Sequence, residues 1–258
     1  QIELINNNPR FNYTNQVLLI DNTIIIMLNT TLFTDKKIAY FECCKLLSNY
    51  IGDNLNEYLI YYKKQLIDEI NTTLKIYNKH KNDFLNIIIT GHDPIIGPKS
   101  KNGVDKYTPI DLFGIELVYE LYEMFYYARK YYLCADVHLY LEGTINLTLR
   151  DRTKSKNKTR KHQFRRSLKK FNNARTRTSK SRMKSKLKKH IMIQQYVIGT
   201  GGAKLDECSI NPNILHLVDN YTTNKKFEIN YHQQYCEKKF GYLRVVLNNQ
   251  PQFIWNAI

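Results

Sequence analysis

The sequence predicts an α/β (α+β) fold in which a sheet is covered by helices. Two observations carry this. Short apolar, β-branched runs such as Thr23-Ile24-Ile25-Ile26 and Ile87-Ile88-Ile89 alternate with helical periodicities in the first half, the pattern of a sheet with helical crossovers. Strand-like segments without intervening helices dominate the second half. Length and composition agree with a folded body: 258 residues, 43% hydrophobic and 24% charged, enough to bury a core. These figures exclude a disordered chain, a collagen-like repeat and a small disulfide scaffold. No apolar run reaches the roughly 18–20 residues of a membrane-spanning helix.

In chain order, Val17–Ile20 and Thr23–Leu28 read as two strands around a tight Asp21-Asn22 turn. Lys36–Tyr50 reads as a helix ended by Gly52. Asn56–Lys79 reads as a longer amphipathic helix, with Leu59, Tyr62, Leu66, Ile70, Leu74 and Ile76 largely recurring at three- or four-residue spacing. Leu85–Thr90 is a buried strand stopped by Gly91-His92-Asp93-Pro94, and residues 95–107 form a loop. Pro109–Lys130 is a third helix with Thr108 as N-cap. Tyr131–Cys134, Val137–Leu149 and Ile191–Ile198 are strands, the last ending at Gly199-Thr200-Gly201-Gly202. Gly241–Leu247 and Gln252–Trp255 form a closing strand pair.

The net charge of +16 is unevenly distributed. Arg150–Lys189 holds 19 of the 39 Lys and Arg residues and one acid, Asp151, so the remainder is left with 20 bases and 22 acids. The protein is a near-neutral body (1–149 and 191–258) carrying one intensely basic insertion (150–190). With few large apolar residues, that insertion cannot offset its ordering entropy and is expected to be mobile. Arg160, Lys161, Arg165, Arg166, Lys169 and Lys170 lie at its centre and suit electrostatic capture of a polyanion, nucleic acid included. A solvated insertion without a specific partner is the plainer alternative. The five cysteines, Cys43, Cys44, Cys134, Cys208 and Cys236, show no zinc spacing and no CxxC. Their odd number and the adjacent pair argue against a fixed disulfide framework.

His92 and His138 each follow a buried strand and stand near an acid, Asp93 and Asp136 respectively. In open α/β sheets, ligands bind outside the carboxyl ends of strands. Imidazole with carboxylate suits Fe, Mn or Zn. Each residue alone is equally at home as a polar group in a strand-ending turn.

Ile87–Ile95, with Gly-His-Asp-Pro at its centre, resembles the strand-GHxP segment of calcineurin-like metallophosphoesterases, particularly the purple acid phosphatase branch. Tyr132–Leu139, containing Ala135-Asp136-Val137-His138, resembles that family's GHxH segment. Tyr196–Ala203 is similar to the Gly-rich strand end that follows, and Gly241–Val245 to the closing strand. Asn8–Tyr13 with Ile24–Thr30 resembles the turn and strand that precede them.

The resemblance implies a β-sandwich flanked by helices and a two-metal phosphoesterase using Fe, Mn or Zn. His92, Asp136 and His138 would be metal ligands, Asp136 standing where the family has histidine. It also implies a phosphate ester substrate, and a basic insertion that emerges near the site, between the GHxH-like segment and the Gly-rich strand end. The family's DxH, GDxxD and GNHD/E motifs find no match here, and no catalytic residue beyond the ligands is identified. The resemblance therefore covers the family's C-terminal portion. The N-terminal half is expected to come from upstream sequence or a complementing chain. The alternative is a non-catalytic relative that binds nucleic acid or another polyanion through the insertion.

Overall fold

The computed structural model describes residues 15–47, 52–107, 110–151, 189–199, 204–211, 213–220 and 225–258. The centre of the basic insertion, the Asn8–Tyr13 segment, Thr108, Pro109 and Thr200–Ala203 lie outside the described residues.

The molecule is a mixed α/β structure built on one large sheet. Strands β1 (Asn15–Ile20) and β2 (Thr23–Leu28) form an antiparallel hairpin, its turn made with Asp21 in the left-handed region at φ 52°. A 3-10 turn, Thr30–Phe33, leads to helix α1 (Lys37–Leu47). Helix α2 (Leu55–Ile76) follows, and Asn54 caps it by accepting from the Asn56 and Glu57 amides. Of the expected stripe, Leu59, Tyr62, Leu66, Ile70 and Leu74 are buried, joined by Tyr58, whereas Ile76 at the end of the helix is exposed. Strand β3 (Asn86–Thr90) comes next.

The stretch expected as a loop contains a hairpin, β4 (Pro98–Lys101) with β5 (Val104–Tyr107). Asn102 and Gly103 both take positive φ, 54° and 75°, as a two-residue hairpin turn requires. Helix α3 is shorter than expected, Leu112–Met124. It is capped by Asp111, whose side chain accepts from the Gly114 amide. The chain turns at Phe125–Ala128 and enters β6 (Arg129–Cys134). Strands β7 (Tyr140–Asp151) and β8 (Lys189–Ile198) flank the insertion. Strands β9 (Ile214–Asn220) and β10 (Lys225–Glu237) fill a region for which no element was expected. A hairpin of β11 (Gly241–Val246) and β12 (Gln252–Ala257) ends the fold.

The sheet order is β1-β2-β3-β6-β8-β7-β10-β9. Neighbours among β2, β3, β6 and β8 pair parallel, and the other pairs are antiparallel. One face buries Ile24, Ile26, Ile87, Ile89, Tyr132 and Val197 in a continuous core with the helices. The other face presents Ile88, Tyr131, Tyr140 and Tyr196 to the β11–β12 hairpin. There Tyr140 stacks on Trp255 with ring centroids 4.3 Å apart, and Tyr196 stacks on Phe253 at the same distance.

Two expectations are corrected. Cys208 and Cys236 form a disulfide that ties the segment before β9 to β10, whereas Cys134 is free and buried. The basic insertion does not emerge beside the candidate site. Tyr140 pairs with Ile198 at the carboxyl end of β8, and Leu149 pairs with Lys189 at its start. The chain thus leaves and re-enters the sheet at the opposite end from His92 and Asp136.

Candidate metal centre

Three parallel strands end side by side, and their termini build the site. Met27 of β2 is in register with Thr90 of β3, which is in register with Leu133 of β6. The loops beyond them are joined through the backbone. The Gly91 amide donates to Leu133 O at 3.0 Å, and the Ala135 amide donates to His92 O at 2.8 Å.

Thr30, buried just beyond β2, orders the His92 loop. Its hydroxyl oxygen accepts from the amides of His92 (2.9 Å) and Asp93 (2.8 Å) and donates to Asp93 Oδ2 (2.9 Å). The Tyr132 hydroxyl donates to the Asp93 carbonyl at 2.8 Å. Asp136 sits in the left-handed region at φ 58°, a conformation that Asp tolerates better than most residues. It stands beside His92, with Nε2 to Oδ1 at 3.8 Å.

His92, Asp93 and Asp136 each offer a ligating atom, all within 4.8 Å of one another. The His92 ring is exposed and the two carboxylates are half-buried. Burial pushes the Asp93 carboxyl above its ordinary range, and the charge of Asp136 adds to this. The Thr30 hydrogen bond, and electrostatic interaction with His92 and Lys36, act the other way. Beneath the site, burial raises the Cys134 thiol well above its ordinary value, reinforced by Asp93 and Asp136. Its side chain is buried in the hydrophobic core and the thiol donates to the Tyr196 carbonyl at 3.6 Å, so Cys134 belongs to the core.

The structure therefore brings two of the three expected ligands together, His92 and Asp136, and adds Asp93. His138 lies outside that cluster. Its backbone is clasped by Asp206 instead: the His138 amide donates to Asp206 Oδ2 at 3.0 Å, and the Asp206 amide donates to His138 O at 2.9 Å. Lys99 pairs with the same carboxylate oxygen at 3.3 Å. The six basic residues expected to bind polyanions, Arg160 to Lys170, lie outside the described residues. No described helix is long and apolar enough to cross a membrane.

Replacing Thr30 with valine is expected to destabilise the protein by roughly 2–4 kcal/mol. It leaves two amides without their acceptor in a site where Thr30 is 1% exposed, and each buried unsatisfied group costs about 1–3 kcal/mol. Thr30→Ser, which keeps the hydroxyl, should cost much less. Urea denaturation of the two variants checks this, and equal midpoints would contradict the hub role.

Compared with protein-family models, with curated proteins and with solved structures, the chain finds no match in any of the three.

Proposed function

We propose that this chain carries part or all of a metal-dependent phosphoesterase centre. The observation that carries the reading is the convergence of His92, Asp93 and Asp136 at the carboxyl ends of β3 and β6, where open α/β sheets bind ligands. One imidazole and two carboxylates form a donor set suited to Fe, Mn or Zn. The resemblance of residues 87–95 and 132–139 to metallophosphoesterase segments supports the reading and adds His138 to the set. When bound, such an ion supplies Lewis acidity toward a phosphoryl oxygen and lowers the pKa of water.

The chain's own residues divide the remaining work. Thr30 fixes the main chain of His92 and Asp93 together. The Asp93 carboxyl, disfavoured as an anion by burial, gains from a cation placed beside it. Asp206 and Lys99 hold the His138 loop.

In this reading the β11–β12 hairpin is the start of the second layer of a β-sandwich. It already covers part of the sheet's second face. A two-metal set would need further ligands beside His92, Asp93, Asp136 and His138.

The test separates metal binding from turnover. Calorimetric titration with Zn²⁺ and Mn²⁺ should show binding that His92→Ala and Asp136→Asn each weaken by tenfold or more, with unchanged thermal unfolding of the metal-free protein. Release of p-nitrophenol from its phosphate mono- and diesters then reads turnover. Equal metal affinity in wild type and both variants would refute the site, whatever the activity.

A further inference from the structure

A second surface lies at the other end of the sheet, away from the metal cluster. Helix α2 and the chain that follows it wall a groove of about 620 Å³, with Leu74 and Met124 supplying its apolar lining. Lys75, Lys79 and Lys81 line it. Their ammonium groups make no ion pair or hydrogen bond among the described residues. Lysines at a helix C-terminus commonly serve to cap its carbonyls. Here that role is filled by the backbone: Lys79 N donates to Leu74 O at 2.9 Å and Asn78 N to Lys75 O at 3.1 Å, with Asn78 at φ 49°. The three charges are thus not consumed by the helix end.

Three exposed tyrosines lie close in the chain to residues that line the groove: Tyr77 precedes Asn78, and Tyr126 and Tyr127 follow Met124 by two and three residues. Tyr77, Tyr126 and Tyr127 are 53%, 63% and 78% accessible. Tyr126 and Tyr127 stand edge-on to each other, ring centroids 5.3 Å apart, with the Lys130 ammonium 5.9 Å from the Tyr126 ring centroid. Asn71, Asn78 and Asn82 add amide donors and acceptors to the lining. Arg129 and Lys130 begin the neighbouring strand β6. The ends of β7 and β8, from which the 19-base segment departs, lie at this same end of the sheet.

Unpaired cations track a phosphate backbone, and exposed aromatic rings stack bases without regard to sequence. We propose that this face binds single-stranded nucleic acid, with phosphates at Lys75, Lys79 and Lys81 and bases on Tyr126 and Tyr127. Side-chain amides that can reach base edges favour nucleic acid over an anionic membrane as the occupant. The inference is independent of the metal reading.

The experiment uses the full chain and fluorescence anisotropy with a labelled 20-nucleotide mixed-sequence single strand. Its duplex, an abasic strand of equal length and phosphatidylserine-containing vesicles serve as comparisons. The basic segment alone attracts any of these polyanions through charge, whereas the tyrosine face distinguishes bases. Wild type is expected to prefer the single strand over the abasic strand by roughly five- to hundredfold. Tyr126→Ala/Tyr127→Ala should abolish that preference while keeping the wild-type melting transition. Lys75→Gln/Lys79→Gln/Lys81→Gln should weaken binding and reduce the slope of log K against log salt by about 2. Absence of a base preference in wild type would overturn the proposal. So would its survival in the tyrosine variant, or loss of vesicle binding by that variant with oligonucleotide binding unchanged.

Discussion

Gly199→Ala is expected to destabilise the protein by about 3 kcal/mol or more and to pull apart the His92–Asp93–Asp136 cluster. A Cβ at Gly199 would lie 1.8 Å from Val137 O, 2.5 Å from Val137 C and 3.2 Å from His138 Cα. All three are backbone atoms, so no side chain can swing aside to make room. The loop they belong to is short and heavily tied. Val137 N donates to Ala135 O at 2.7 Å, Leu139 N to Val137 O at 2.9 Å, and Asp206 holds His138 on both sides. Val137 and Leu139 are fully buried. The substitution must therefore push the whole loop away from β8, withdrawing two core side chains and carrying Asp136 away from His92. Overpacking costs typically 1–3 kcal/mol, and the rigid neighbour puts this case at the top of that range. Urea denaturation and zinc titration of the variant measure the two effects. Gly103→Ala is a useful contrast: nothing lies within 4 Å of its Cβ, and its cost of about 1 kcal/mol comes from the positive φ alone. A Gly199→Ala protein within 0.5 kcal/mol of wild type would show that the loop yields more readily than its bonds imply.

Cys208→Ser/Cys236→Ser should cost roughly 3–4 kcal/mol, the chain-entropy value for a closed loop of this length; the two residues are 28 apart in sequence. The bridge restrains a segment otherwise fastened by polar contacts. Ser100 N donates to Glu207 O at 2.8 Å, and Asp105 accepts from the amides of Ile210 and Asn211 at 2.9 and 2.8 Å. Glu207 pairs with Lys238. These contacts set where the segment lies but do little to limit the unfolded chain. Chemical denaturation with and without dithiothreitol checks the prediction: the reductant should move the wild-type midpoint to that of the double variant and leave the variant unchanged. Because Asp206 sits two residues from Cys208 and clasps His138, the reduced protein should also lose order at His138 first, visible as faster amide exchange there.

The parts of the fold legible in the sequence are those whose local chemistry matches their burial. Ile24–Ile26 and Ile87–Ile89 are covered on both faces and read as strands without help from context. The stripe on α2 reads equally well. Strands β9 and β10 do not. Glu228, Asn230 and His232 give β10 a polar appearance, because one of its faces looks to solvent while Phe227, Ile229 and Tyr231 fill the core. The β4–β5 hairpin hid behind charged flanks, although Asn102-Gly103 is a strong turn signal. At the site, strand-end position pointed to His92 and Asp136. Asp93 was visible as a neighbour of His92 but not as a member of a three-residue cluster, since only the three-dimensional approach of β6 brings Asp136 beside both. Thr30 lies more than 60 residues from the loop it organises, and no local pattern announces such a contact. The disulfide was illegible for the same reason: spacing alone does not fix cysteine pairing.

The long antiparallel ladder between β7 and β8 has a consequence for how freely this protein can vary. Residues 152–188 close a loop whose two ends are already held together by that ladder. Closure entropy grows only logarithmically with length, about 0.6 kcal/mol for each doubling. Halving or doubling the segment would barely alter the free energy of folding. Its roots also stand about nine strand residues, or roughly 30 Å, from the carboxyl ends of the parallel strands, well beyond the ~8 Å screening length at physiological salt. The length of that segment can therefore drift without a matching change in the fold or in the His92–Asp93–Asp136 cluster.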